Sequence, residues 1–349
     1  MSARLAIVTA LGAALVASSP DARATTPSPW SIAAEPRLAA EAVAARTAEL
    51  AVMRYRAARR GQAAAGGDVL DSGKMLGNLH LHDALDALTA SGAANSPDPA
   101  LRLRLGEVLD ELDRCDAAAP VLEGVARSEA PAALRLEAWT RLAVCFAKLG
   151  RPANEIPAYG RALALQSDGA ERAVLLANRA EAWMVSGDLP AAIQGYRDAL
   201  ALIGTLTSFE VPEHAPTTYW GLAVALDRSG DVEGAFSAIH MARVYDANDR
   251  RIHGPGWFFV PSYDEAWYAA LGAWAEGRSA GPLEDRADAY ERATLEWERY
   301  LTLAPATDLW LPIARARSVA CAKERRLVDK ELAARATPGA LRAVEPNPR

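Results

Sequence analysis

The sequence predicts an all-α chain built as a solenoid of antiparallel helix pairs, and three observations carry that prediction. Of 349 residues, 51% are apolar, and that share is held by Ala and Leu rather than by Val, Ile and Thr, which favours helix over sheet. From Pro99 to about Pro305, helical segments alternate with short turns that bear Gly, Asp or Pro. Along that stretch one pattern of small and large apolar residues returns several times, the mark of a repeat architecture.

The elements follow in chain order. Residues 1–24 read as a secretory signal: Arg4 precedes the apolar stretch Leu5 to Ala17, and Ala22-Arg23-Ala24 supplies the small-x-small pattern that signal peptidase accepts. Thirteen apolar residues fall short of the ~20 that a membrane-spanning helix needs, although the same physics would insert a retained N-terminal anchor. Cleavage after Ala24 would leave an exported chain, periplasmic or secreted, with no stable membrane span. Residues 25–98 form an N-terminal helical region: a helix over Leu38 to Arg60, a Gly- and Ala-rich break over Gly61 to Met75, and a short amphipathic helix over His82 to Thr89. Asn95-Ser96-Pro97-Asp98-Pro99 is a stop and a start, with Pro at a first-turn position where its missing N–H is harmless. Residues 99–305 hold about five helix pairs. Residues 306–335 are expected to cap them with a helix, and the Pro-bearing stretch 336–349 to be a disordered tail.

The clearest pair is Leu176 to Leu202. Ala180 and Trp183 share one helix, Gly187-Asp188 make the turn, and Ala192, Ile193, Tyr196, Ala199 and Leu200 line the next helix. Upstream the template reads Trp139, Leu142, Ala143, Phe146, Gly150, Ile156, Tyr159, Ala162 and Leu163. Downstream it reads Tyr219, Leu222, Ala223, Leu226, Gly230-Asp231, Ala235, Phe236, Ile239 and Ala242. Looser copies flank these three, around Leu105-Gly106 and around Trp267, Trp297 and Pro305. The small residues let two helices approach, and Gly followed by Asp ends one helix with a left-handed cap and starts the next with a side-chain cap. The pattern resembles the tetratricopeptide repeat family. It departs from that family at Glu155, where a small residue is usual, and its units are spaced more widely than the family's about 34 residues.

The resemblance implies a groove lined by the first helix of each pair, receiving a segment of another protein or peptide. Carried across residue by residue, the groove positions include Arg104, Glu107, Glu111, Arg141, Lys148, Asn178, Glu181, Trp220, Asp227 and Arg228. The Lys and Asn set with which the family's best-known groove grips a C-terminal carboxylate is not reproduced: Leu103 and Glu107 stand at two of its positions, and Asn178 alone matches. A second reading makes the chain a structural adaptor of an envelope assembly, contacting its partners through the N-terminal helical region.

An aromatic loop over 250–262 separates the fourth and fifth pairs. Gly254-Pro255-Gly256 stops a helix, and Trp257, Phe258 and Phe259 follow; they either seal the core or project into the groove as anchors. Cys115 and Cys145 fall on neighbouring helices of the repeat register. In an oxidising compartment a bridge between them would contribute roughly 3–4 kcal/mol; otherwise they are buried thiols.

Charge and motifs narrow the chemistry. With 38 Lys plus Arg against 44 Asp plus Glu, the chain is net −6. It has no basic field for nucleic acid. Arg outnumbers Lys 34 to 4 but is interspersed with acids, as on solvated helices with i,i+4 pairs. There is no dinucleotide fingerprint, P-loop or zincin motif, so no cofactor, metal or catalytic centre is expected. Gly277-Arg278-Ser279-Ala280-Gly281 matches the nucleophile-elbow spacing, but that motif works on a strand-to-helix turn and here lies between helices. His80, His82 and Asp83 lack a further ligand and read as polar decoration.

Overall fold

The computed structural model describes residues 35–64, 70–253, 257–279 and 281–336. The signal segment, Gly254-Pro255-Gly256 and the tail beyond residue 336 lie outside them. Among the described residues there are thirteen α-helices and no strand. They are α1 (Glu35–Ala64), α2 (Leu70–Ala90), α3 (Pro99–Glu111), α4 (Cys115–Ala126), α5 (Ala132–Lys148), α6 (Pro152–Leu165) and α7 (Gly169–Ser186). There follow α8 (Leu189–Ile203), α9 (Val211–Ser229), α10 (Val232–Tyr245), α11 (Asp264–Arg278), α12 (Leu283–Leu303) and α13 (Leu311–Ala336). Helices adjacent in sequence pack in consecutive pairs, as in a helical repeat solenoid.

Turn chemistry explains the boundaries. Asp98 accepts from the Ala100 amide at 2.8 Å with Pro99 in the first turn of α3. Gly150, Gly187 and Gly230 have φ of +64°, +91° and +97°, the left-handed conformation that closes a helix without a Cβ clash. Asp188 and Asp231 then accept from the amides of Ala191 and Gly234 at 3.1 and 2.9 Å, opening α8 and α10. Between α3 and α4 the left-handed position is held by Asp113 (φ 57°), a residue type that tolerates it.

Two expectations are corrected here. The break at Gly61 to Met75 narrows, because α1 runs on to Ala64 and α2 starts at Leu70 instead of near His82. The Ala-rich stretch is a strong helix former, and a single helical Gly costs only about 1 kcal/mol.

The described chain divides into two compact units. The first comprises residues up to Gly221 together with Ala242–Phe258; the second comprises Leu222–Met241 and Phe259 onward. In the first, a large core joins α1 to α5 through Val52, Tyr55, Leu81, Leu101, Leu122 and Leu142. A further cluster joins α5, α6 and α7 through Leu136, Ala143, Tyr159, Leu163 and Leu175. Small residues set the approach: Gly195 of α8 lies on Ala180 and Trp183 of α7, where a Cβ would meet the Ala180 methyl at 3.0 Å. The second unit is centred on aromatic rings. Trp267 meets Trp297 and Tyr300 edge-on at 5.1 and 5.0 Å, and all three are fully buried.

Candidate functional site

Most of the charged positions assigned to a groove are buried. Glu107, Asp110 and Glu111 sit on one face of α3, and Arg141 reaches them from α5. The Arg141 guanidinium is 1% exposed and lies 2.6 Å from Glu107, 3.3 Å from Asp110 and 3.3 Å from Glu137. Arg104 pairs with Glu107 from the same helix. Lys148 donates to Asp110 at 2.9 Å and to Asp113 at 2.9 Å. Burial works to lower the pKa of Arg141, but the charges of Glu107, Glu137, Asp110 and Glu111 prevail and hold it raised. Burial pushes Glu137 above the usual carboxylate range; Arg141 opposes the shift and Glu107 adds to it.

The same holds further along the chain. In the first unit, the Trp220 indole is 2% exposed and donates to Asp249 at 3.1 Å, while Arg243 pairs with Asp249 at 2.8 Å. In the second unit, Arg228 pairs with Asp264 at 2.7 Å and lies over the rings of Trp267 and Trp310. Asp227 accepts from Trp267 at 3.1 Å and from Arg317 at 2.7 Å. Groove exposure is therefore corrected for Glu107, Glu111, Arg141, Trp220, Asp227 and Arg228. The charged ones face opposite charges on other helices, α3 on α5 and α9 on α11 and α13, and the Trp220 indole is held by Asp249. The signal was present in the sequence: Glu107 and Arg141 are 34 residues apart, and Arg228 and Asp264 are 36 apart, about one repeat.

Cys115 and Cys145 come together as the register implied, both as buried free thiols. Each donates to the same Asp110 oxygen at 3.7 Å, and that oxygen is fixed by Lys148. The Cys145 pKa is raised by its hydrogen bond with Cys115, by burial and by the Asp110 charge. The two sulfurs and the carboxylate lie within 4.8 Å of one another and are the donor set a metal ion could use. An ion there would have to displace Lys148, since cations already occupy both Asp110 oxygens.

Asn178 and Glu181 behave differently. Both line a recess formed by α7, α8 and α9, with Tyr196, His214, Thr217 and Thr218 around them and Trp257 and Phe258 closing it. Asn178 is 8% exposed, and its Nδ2 has no hydrogen-bond partner. Thr217 and Thr218 direct their hydroxyls to the His214 carbonyl at 3.3 and 2.9 Å. Burial lowers the His214 pKa, favouring the neutral imidazole. The free space is about 30 Å³, with Trp257 and Phe258 among the side chains that bound it. Phe259 turns away to meet Tyr268 edge-on at 5.0 Å. Trp257 and Phe258 thus pack on the face that carries Asn178 and Glu181.

Ser279 lies just past the end of α11, and its hydroxyl donates to the Glu276 carbonyl at 2.7 Å. His82 contacts the Asn78 carbonyl at 2.8 Å on α2. No helix among the described residues is long and apolar enough to cross a membrane. Compared with protein-family models and with curated proteins, the chain matches none.

Proposed function

We propose that the protein is an exported, non-catalytic scaffold whose tetratricopeptide-like superhelix receives a segment of a partner protein across α7 and α9. The observation that supports this is Asn178, a buried amide donor with no partner, opening on a recess walled by Glu181, Thr218 and Trp257. An unmet buried donor costs about 1–3 kcal/mol, and a peptide carbonyl placed against it recovers that cost. A segment entering the recess moves Trp257 and Phe258 outward, where they become its aromatic wall.

The test is selection from a displayed peptide library on the wild-type chain and on Asn178→Ala. A shared motif enriched by the wild type and lost with the variant supports the reading. No enrichment, or a motif indifferent to Asn178, refutes it. Export is tested separately, by N-terminal sequencing of the protein from its native host, with Thr25 as the expected first residue.

The adaptor reading is favoured by one observation. Val43 and Met53 on α1 and Leu79 on α2 are 64%, 57% and 54% exposed. If α1 and α2 carry the contact, changing these three to Ser abolishes assembly and leaves peptide selection intact.

A further inference from the structure

A second, larger cleft, open to solvent along one side, lies between α4, α5 and α6 and has a volume of about 630 Å³. That falls within the roughly 300–1,000 Å³ of small-molecule sites. Helices α4 and α6 both pack on α5. Between them Ala126, Ala158 and Ala164 contribute only methyl groups, so the gap stays open. Its floor carries Trp139 and Phe146, both half-buried.

The charge around this apolar floor is one-sided. Arg127, Arg135 and Arg161 line the cleft against a single acid, Glu123, in a chain that is net −6. Glu123 is already paired with Arg127 at 2.8 Å, and that guanidinium also lies over the Trp139 ring. Neither Arg135 nor Arg161 has an ion-pair partner among the described residues, and the Arg135 Nε is buried without a hydrogen bond. A buried donor on a cation calls for an acceptor, and a planar guanidinium fits a carboxylate. The uncharged polar groups of the lining are the Asn154 amide and the Trp139 indole N–H. A peptide backbone, with a donor and an acceptor at nearly every residue, would find few side-chain partners for its polar groups there.

We infer that this cleft binds one single-chain anionic amphiphile, a long-chain carboxylate, its alkyl chain over Trp139 and Phe146 and its head at Arg135 and Arg161. The inference is independent of the recess at Asn178.

Calorimetric titration of the full chain with dodecanoate, below its micellar concentration, tests it. The expected result is saturable one-to-one binding that weakens about fourfold for each methylene removed on going to decanoate and octanoate. Decanol binds at least about tenfold more weakly than decanoate, because it makes no charged hydrogen bond. Arg135→Gln and Arg161→Gln each weaken dodecanoate by about tenfold, leave decanol unchanged and keep the wild-type melting temperature. Ala164→Leu, at an exposed position on the rim, narrows the mouth of the cleft and weakens binding. Equal binding of decanoate and decanol, indifference to both arginines, wild-type binding by Ala164→Leu, or no saturable heat would each overturn the inference. Displacement of dodecanoate by an acidic peptide would overturn it as well, by assigning the cleft to a protein partner.

Discussion

Replacing Arg141 by Met would strand Glu107, Asp110 and Glu111, whose exposures are 0%, 1% and 4%, without their shared counter-charge. Removing one partner of a buried ion pair destabilises by about 3–5 kcal/mol, because the other charge stays in a poor dielectric. Arg104 still faces Glu107 and Lys148 still faces Asp110, which places the loss toward the lower half of that range. A loss of about 3 kcal/mol corresponds to a fall in melting temperature of roughly 6–12 °C for a unit of this size. Urea unfolding followed by far-UV circular dichroism reads the effect, since the described fold is all helix.

The loss also depends on pH. Glu137 already has a raised pKa that Arg141 opposes, so removing Arg141 raises it further. A carboxyl with a raised folded pKa binds more protons folded than unfolded, and its stability contribution falls as pH rises through that window. The difference between variant and wild type is therefore larger at pH 7 than at pH 4. Pairing Arg141→Met with Glu107→Met restores part of the stability by removing charges of both signs together. A single variant that loses less than about 1 kcal/mol at pH 7, or a double variant no better than the single, would refute the reasoning.

Other expectations rest on separate features. Glu171, whose Oε2 is buried without a partner, has its pKa raised to about 7 by burial and by the Asp168 charge. Its contribution falls between the unfolded value near 4.5 and pH 7, so Glu171→Gln should raise the urea midpoint at pH 8 and leave it unchanged at pH 4. Because the carboxyl is partly exposed, solvent screening holds the gain to about 1 kcal/mol. Gly221→Ala would drive a methyl into the Tyr196 ring. It should destabilise by about 1–3 kcal/mol despite its better helix propensity, and a stabilised variant would contradict the packing. Without reductant, all three cysteines should label once the chain is unfolded; labelling of a single one would mean that Cys115 and Cys145 are joined.

The repeat and its turns were legible because they rest on local chemistry. Gly187-Asp188 and Gly230-Asp231 announce a left-handed cap followed by a side-chain cap, and both appear as such. Burial of the charges was not legible from a single helix, where Glu107 or Arg228 looks like any solvated residue. Their partners lie about one repeat away, so only a comparison of successive copies by sign would have exposed the pairing. The place of the aromatic loop was open for a similar reason: composition shows that Trp257 and Phe258 need cover, but the Asn178 face that supplies it is set by tertiary packing. The open cleft on α5 had no sequence signal, since Ala126, Ala158 and Ala164 are ordinary small repeat residues.

The paired charges also give the hairpins that carry them an individual key. At α3 and α5 the acid comes first in the chain and the cation follows, Glu107 before Arg141. At α9 and α11 the order is reversed, Arg228 before Asp264. Shuffling or duplicating hairpins, which generic repeat modules tolerate, would set like against like at these interior contacts. The order of the modules is written into the molecule by the sign of a few concealed side chains.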